Sequence, residues 1–412
     1  MQGEFGMSTS DASYPPQGLQ RTSRSVQRRR FGRLLGIAAL AGFGLLAGLA
    51  TSAQAATDSL YAAPSAACTG DCSSPTNACA IADAVTSANA MPVADTVRIA
   101  LASGTYPLSS PTPTALSITF AGPNLTIAAG SGTPVLDGTN TVRLLSVDAA
   151  SNVTIDGLEI VSGATTGQGG GIQNSGTLTV KNSTFSSNSA GNGGAIGNAA
   201  GATLVVQSST FSDNTTTGVG GGAIISSGTT TVERSAIIDN TAPINGGGIN
   251  VQPGGTVTVT SSTIAGNTSG GLGGALSNLG TLTVQASTIK DNTGSDGAAM
   301  ATGNSNVTFA ADIVATQSSG GACSPANAAI VDGGYNLDVD GTCISPTSPA
   351  TGSHNGTTAD GSSTYGAVLE AYLADGLANL GGNGRTERIG DLYGNGHARA
   401  GRRNGVVHRW GR

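Results

Sequence analysis

Three aspartates recur one residue before an asparagine: Asp213 before Asn214, Asp239 before Asn240 and Asp291 before Asn292, with Gly266 standing in the same place before Asn267. Carboxylates one repeat apart could share a cation such as calcium, or act as acid and base on a glycosidic bond. Asp213 and Asp239 are therefore the candidate catalytic pair, although an Asp-Asn step is also good turn chemistry on a solvated edge. A polysaccharide lyase or hydrolase needs convergent partners, and the surrounding sequence is poor in them. Residues 150–318 contain no His, Trp or Tyr, and their only cations are Lys181, Arg234 and Lys290. No Gly-Lys-Ser/Thr follows the glycine runs, and no Cys/His spacing suits a metal. A second candidate is an array of T-x-T pairs: Thr177/Thr179, Thr229/Thr231, Thr256/Thr258 and Thr281/Thr283, interrupted where Thr203 pairs with Val205. Such pairs would present ordered hydroxyls on a flat face, although Thr is also the ordinary outward residue of an exposed strand.

The elements that must position these residues are set by a repeat. Its anchors are Val153-Thr-Ile, Leu178-Thr-Val, Leu204-Val-Val, Thr230-Thr-Val, Val257-Thr-Val, Leu282-Thr-Val and Val307-Thr-Phe, at steps of 25, 26, 26, 27, 25 and 25 residues. A short, steady period marks one supersecondary unit per repeat, which buries its apolar face only against its neighbours. The period-2 alternation and β-branched residues specify strands, and the Gly, Ser and Asn steps exclude long helices. The expected architecture is all-β, a single-stranded parallel solenoid with strands about 4.8 Å apart. Leu178, Val180, Ser183 and Phe185 then face inward. Asn188, Asn214, Asn240, Asn267 and Asn292, ten residues after their anchors, form a corner column whose amides bond the next coil, a structural role. Gln317 takes that place in the last coil.

The pairing of G-G-A-I at Gly193–Ile196 and Gly221–Ile224, and G-G-A-L at Gly273–Leu276, with F-x-x-N at Phe185–Asn188 and Phe211–Asn214 resembles the repeats of chlamydial polymorphic outer-membrane proteins. It also resembles the wider set of secreted bacterial right-handed β-helix proteins with a pectin-lyase-like fold. The resemblance covers roughly residues 150–318 and implies a right-handed β-helix; that fold hosts enzymes, adhesins and scaffolds alike. The T-x-T face likewise resembles that of ice-binding solenoids. No run of alternating ten-residue strands follows the repeat, so the membrane barrel of the chlamydial relatives has no counterpart in this sequence.

Along the chain, residues 1–55 read as an export signal: a basic Arg28–Arg33 segment, an apolar run from Leu34 to Ala50 and an Ala53-Gln54-Ala55 cleavage site. No stable membrane span is expected after cleavage. Residues 56–95 form an N-terminal cap in which Ala80–Ala90, with Ile81, Ala84, Val85 and Ala88 on one side, makes a short capping helix. Residues 96–320 are the β-helix, 321–380 a C-terminal cap region and 381–412 a disordered basic tail. The Cys79-Ala-Ile segment resembles the caps of the secreted family, and Gly334-Tyr-Asn-Leu337 between Cys323 and Cys343 resembles its C-terminal portion. Export permits disulfides. Cys72 with Cys79 is favoured, Cys68 with Cys79 is the alternative, and Cys323 with Cys343 is the second bridge.

Residues 56–380 carry five basic and 20 acidic side chains, a net charge near −15, the wrong sign for a nucleic-acid-binding solenoid. The reading is an exported, monomeric, cell-surface or extracellular protein that binds or displays through an extended face toward a glycan or protein ligand, with no cofactor. Its alternatives are a lyase or hydrolase centred on Asp213 and Asp239, with calcium as a fitting ion, and ice binding through the T-x-T face.

Overall fold

The computed structural model describes residues 57–64, 71–109, 116–303 and, with short interruptions, 306–355, together with the backbone of 401–403 and 406–408. The chain divides into two units, residues 1–52 and 53–412. The signal segment and Cys68 lie outside the described residues, as does most of the basic tail, where two antiparallel strands, Gly401–Arg403 and Val406–His408, are described.

Each coil passes through three parallel sheets. In one coil, Ile172–Asn174 lies in sheet C, Thr177–Lys181 in sheet A and Thr184–Ser186 in sheet B, followed by the two-residue strand Ser189–Ala190 and a glycine corner. Among the described residues sheets A and B each have 11 strands and sheet C has nine. The register follows the sequence anchors: Leu178 pairs with Leu204, Leu204 with Thr230, Thr230 with Val257 and Val257 with Leu282. Alternation then sends one column of each strand into a dry interior, where Leu178, Leu204, Val257, Val180, Val206 and Val232 are fully buried.

Thr230 stands inward where other coils carry Leu or Val. Its hydroxyl accepts from Asn198 Nδ2 at 3.1 Å and lies 2.9 Å from Ser226 Oγ, so the polar substitution is satisfied inside the core.

The glycine motif has a steric cause. Gly169, Gly193, Gly221, Gly246, Gly273 and Gly297 all adopt φ between 57° and 72°, and a Cβ there would run into the carbonyl oxygen three residues on. At the next residue, Gly170, Gly194, Gly222 and Gly247, a side chain would strike backbone of the following coil.

Both ends of the stack extend past the bounds that the repeat suggests. Thr57–Ala62 pairs in parallel with Thr96–Leu101, and Ile330–Asp332, Leu337–Asp338 and His354–Asn355 continue sheets A and B. Helix α1 (Ile81–Asn89) buries Ile81, Ala84, Val85 and Ala88 against the first coils, covering an end that would otherwise expose core. Cys72 is bonded to Cys79 and Cys323 to Cys343, each with Cα atoms 4.9 Å apart. At the other end Asp332 gathers the cap. Desolvation would raise its carboxyl, but hydrogen bonds from Ser353 Oγ (2.7 Å), Ala350 N (2.7 Å), Gly334 N (2.9 Å) and Asn336 Nδ2 (2.7 Å) hold it below the usual carboxylate range.

Candidate functional site

Asp213, Asp239 and Asp291 all sit at φ 56°, in one column with Ser162 (53°), Ser187 (55°) and Gly266 (67°). The column is a left-handed corner between sheet B and the short fourth strand, and Asp, Ser and Gly are side chains that such a corner accepts at low cost. This accounts for the gap at Gly266: the position selects a backbone conformation, not a carboxylate. A Cβ at Gly266 would also collide with the carboxylate of Asp239, which leans over it along the stack.

Asp213, Asp239 and Asp291 are exposed. Two of the three repeat cations are paired on the surface: Arg234 with its neighbour Glu233, and Lys290, whose Nζ lies 3.6 Å from Asp291. Arg143, the half-buried cation upstream, donates from Nε to Gly169 O (3.0 Å) and from Nη2 to Gln168 O (2.8 Å), capping the first glycine corner. Desolvation pushes its guanidinium below the ordinary arginine value. Among the described residues no group of three His, Cys, Asp or Glu side chains is placed to hold a metal ion.

A cavity of about 600 Å³ lies where helix α1 meets the first coils, lined in part by Val85, Thr86, Asn89, Leu108, Leu116 and Val142, with no titratable side chain among the described residues of its wall. Asn89 closes one side, donating to Ser117 O (2.8 Å) and accepting from Thr119 N (3.0 Å).

The asparagines form a continuous buried ladder. Asn188, Asn214, Asn240, Asn267 and Asn292 are all 0% exposed. Each Nδ2 donates to Oδ1 of the next coil at 2.9–3.0 Å, until Asn292 reaches Gln317 Oε1 at 3.2 Å. That Oδ1 also accepts the preceding asparagine's backbone N–H, and each Nδ2 reaches a carbonyl of the preceding coil, such as Phe185 O from Asn214 at 3.0 Å.

A second ladder was not identified from the sequence. Ser209, Ser235, Ser262 and Ser287 each accept the backbone N–H of the equivalent residue one coil earlier at 3.1 Å. Asp312, Asn336 and Ser353 carry the chain into the cap. Its signal is the small polar residue five positions after each anchor, beginning with Ser183. A third polar column, in sheet C, includes Asn174 and Asn198, joined at 2.8 Å.

The T-x-T threonines point outward on sheet A. Thr177, Thr229, Thr256 and Thr281 are exposed, and Thr179, Thr231, Thr258 and Thr283 are half-buried. Strand pairing places them in two columns, the second interrupted by Val205, and Thr126, Thr154 and Thr308 extend the second column in both directions.

Three parallel sheets wound coil on coil around one dry core define a parallel β-helix protein. Residues 143–331 match the family model described as the right handed beta helix region, and the solenoid is right-handed. Among curated proteins none matches the sequence. Among solved structures, a pectate lyase, Pel9A, aligns over 69% of this chain and 81% of its own, at 14% identity and a TM-score of 0.42, a likeness too slight to say anything about activity.

Proposed function

We propose that the protein is an exported binding or display scaffold that acts at the cell surface or outside the cell through its rigid outer faces, without catalysis. The observation that carries this reading is the left-handed corner shared by Ser162, Ser187, Asp213, Asp239, Gly266 and Asp291. It gives the candidate carboxylates a conformational reason to exist that needs no substrate. The polar investment of the fold is directed inward, into the asparagine and serine ladders that hold coils in register. What remains outside is long and repetitive, a geometry suited to an extended ligand and not to enclosing a small one. The two disulfides and the basic-apolar leader support export.

Fractionation of producing cells tests the export part of the reading. The chain is expected outside the cytoplasm, accessible to added protease once unfolded and carrying one alkylatable thiol among its five cysteines before reduction. A cytoplasmic protein with five free thiols would contradict it.

A further inference from the structure

We propose that the threonine face of sheet A is an ice-binding surface. This rests on the reading above, that the chain works through an outer face, and adds the class of ligand.

The face is a lattice. Five consecutive strands, from Thr177–Lys181 to Thr281–Gln285, pair without a slip, and nine of their ten positions in the two outward columns are Thr; the tenth is Val205, which keeps the branched shape. Neighbouring strands stand about 4.8 Å apart and alternate residues along a strand about 6.7 Å apart, spacings of the order of those between like-placed oxygens in crystalline ice. Including Thr126, Thr154 and Thr308, the second column runs through eight coils, about 34 Å at that strand spacing.

The hydroxyls on the five central strands are unspent, whereas Thr126 and Thr154 in the flanking coils are engaged with Asn124. Among the described residues none of the nine threonine side chains has an intramolecular hydrogen-bond partner, whereas the inward Ser183, Ser209, Ser235, Ser262 and Ser287 hydroxyls each donate to a carbonyl of their own coil, at 2.6–2.9 Å. The two hydroxyl populations of one coil are thus divided, one locked into the fold and the other left without a protein partner on an exposed or half-buried face.

Charge and shape then select among ligands. The lattice carries no charge in a body with a net charge near −15, and the nearest ionic column, Asp156, Lys181 and Glu233, runs along one margin. A mineral surface would call for charged rows, and a crystalline polysaccharide for aromatic platforms, which residues 150–318 lack. Single hydroxyl contacts gain little against water, so a flat neutral lattice becomes a binding site only for a rigid ligand that engages many positions at once. Ice is a neutral lattice of donors and acceptors, and the ladders hold the protein side equally rigid.

The test is partition of the purified full chain into slowly growing ice, with growth shape and recrystallisation followed by microscopy. The chain is expected in the ice fraction, with Thr229→Lys and Thr256→Lys falling to the level of a non-binding control protein. Both substitutions are at exposed positions, and unchanged far-UV circular dichroism and thermal unfolding certify the fold. Exclusion of the parent chain from ice, or equal incorporation of the variants, would overturn the proposal. Adsorption to crystalline cellulose or chitin that is lost in the same variants would overturn it in favour of a solid polysaccharide, leaving the scaffold reading in place. Turnover of a polysaccharide would overturn both.

Discussion

Replacing Phe211 by Ala is expected to lower the unfolding free energy by about 3 to 5 kcal/mol, measured by chemical denaturation. Phe211 is fully buried, and its ring stacks on that of Phe185 with centroids 4.7 Å apart and planes 10° from parallel. The pair fills one column of the core between two coils, with Ile160 before it and Ile237 after it. A solenoid has no deeper layer that could collapse into the hole, so the cavity term is retained along with the lost transfer energy. A cost under about 1 kcal/mol would mean that the coils do not stack in this register.

Asn214→Ala is expected to cost about 2 to 4 kcal/mol, because several buried groups lose partners together. Its Oδ1 accepts from Asn188 N (3.0 Å) and Asn188 Nδ2 (2.9 Å), and its Nδ2 donates to Phe185 O (3.0 Å) and Asn240 Oδ1 (2.9 Å). Truncation strips the Asn188 backbone N–H of its acceptor at a site that water does not reach. The neighbouring Thr215 is exposed, and Thr215→Ala should stay within about 0.5 kcal/mol of the parent. Equal, small effects at both positions would place the ladder in solvent.

Much of this was legible in the sequence because the solenoid translates period into position. Once Leu178, Leu204, Val257 and Leu282 were aligned, inward and outward columns followed from strand alternation alone, and so did the asparagine column and the outward threonines. The left-handed corners were harder to see. Ser187, Asp213, Asp239 and Gly266 share a backbone conformation and not a side-chain type, so the eye picks out a broken row of carboxylates where the chain has an unbroken row of turns. Thr230 illustrates a different limit. A hydroxyl in a hydrophobic column looks like an error until Asn198 and Ser226, from two other strands, are brought beside it. The outermost coils were hidden because Thr57–Ala62 and Ile330–Asp332 pair with the stack without carrying the repeat's anchor.

The central claim, that the protein works through its faces and not through a catalytic pair, is tested most directly by product release. The purified chain, shown to be folded and β-rich, would be incubated with a panel of acidic and neutral polysaccharides with and without calcium, following reducing ends and the absorbance of unsaturated uronides. The account predicts no turnover across the panel. Turnover that disappears in Asp213→Ala would contradict it and make the Asp213 and Asp239 column an active site.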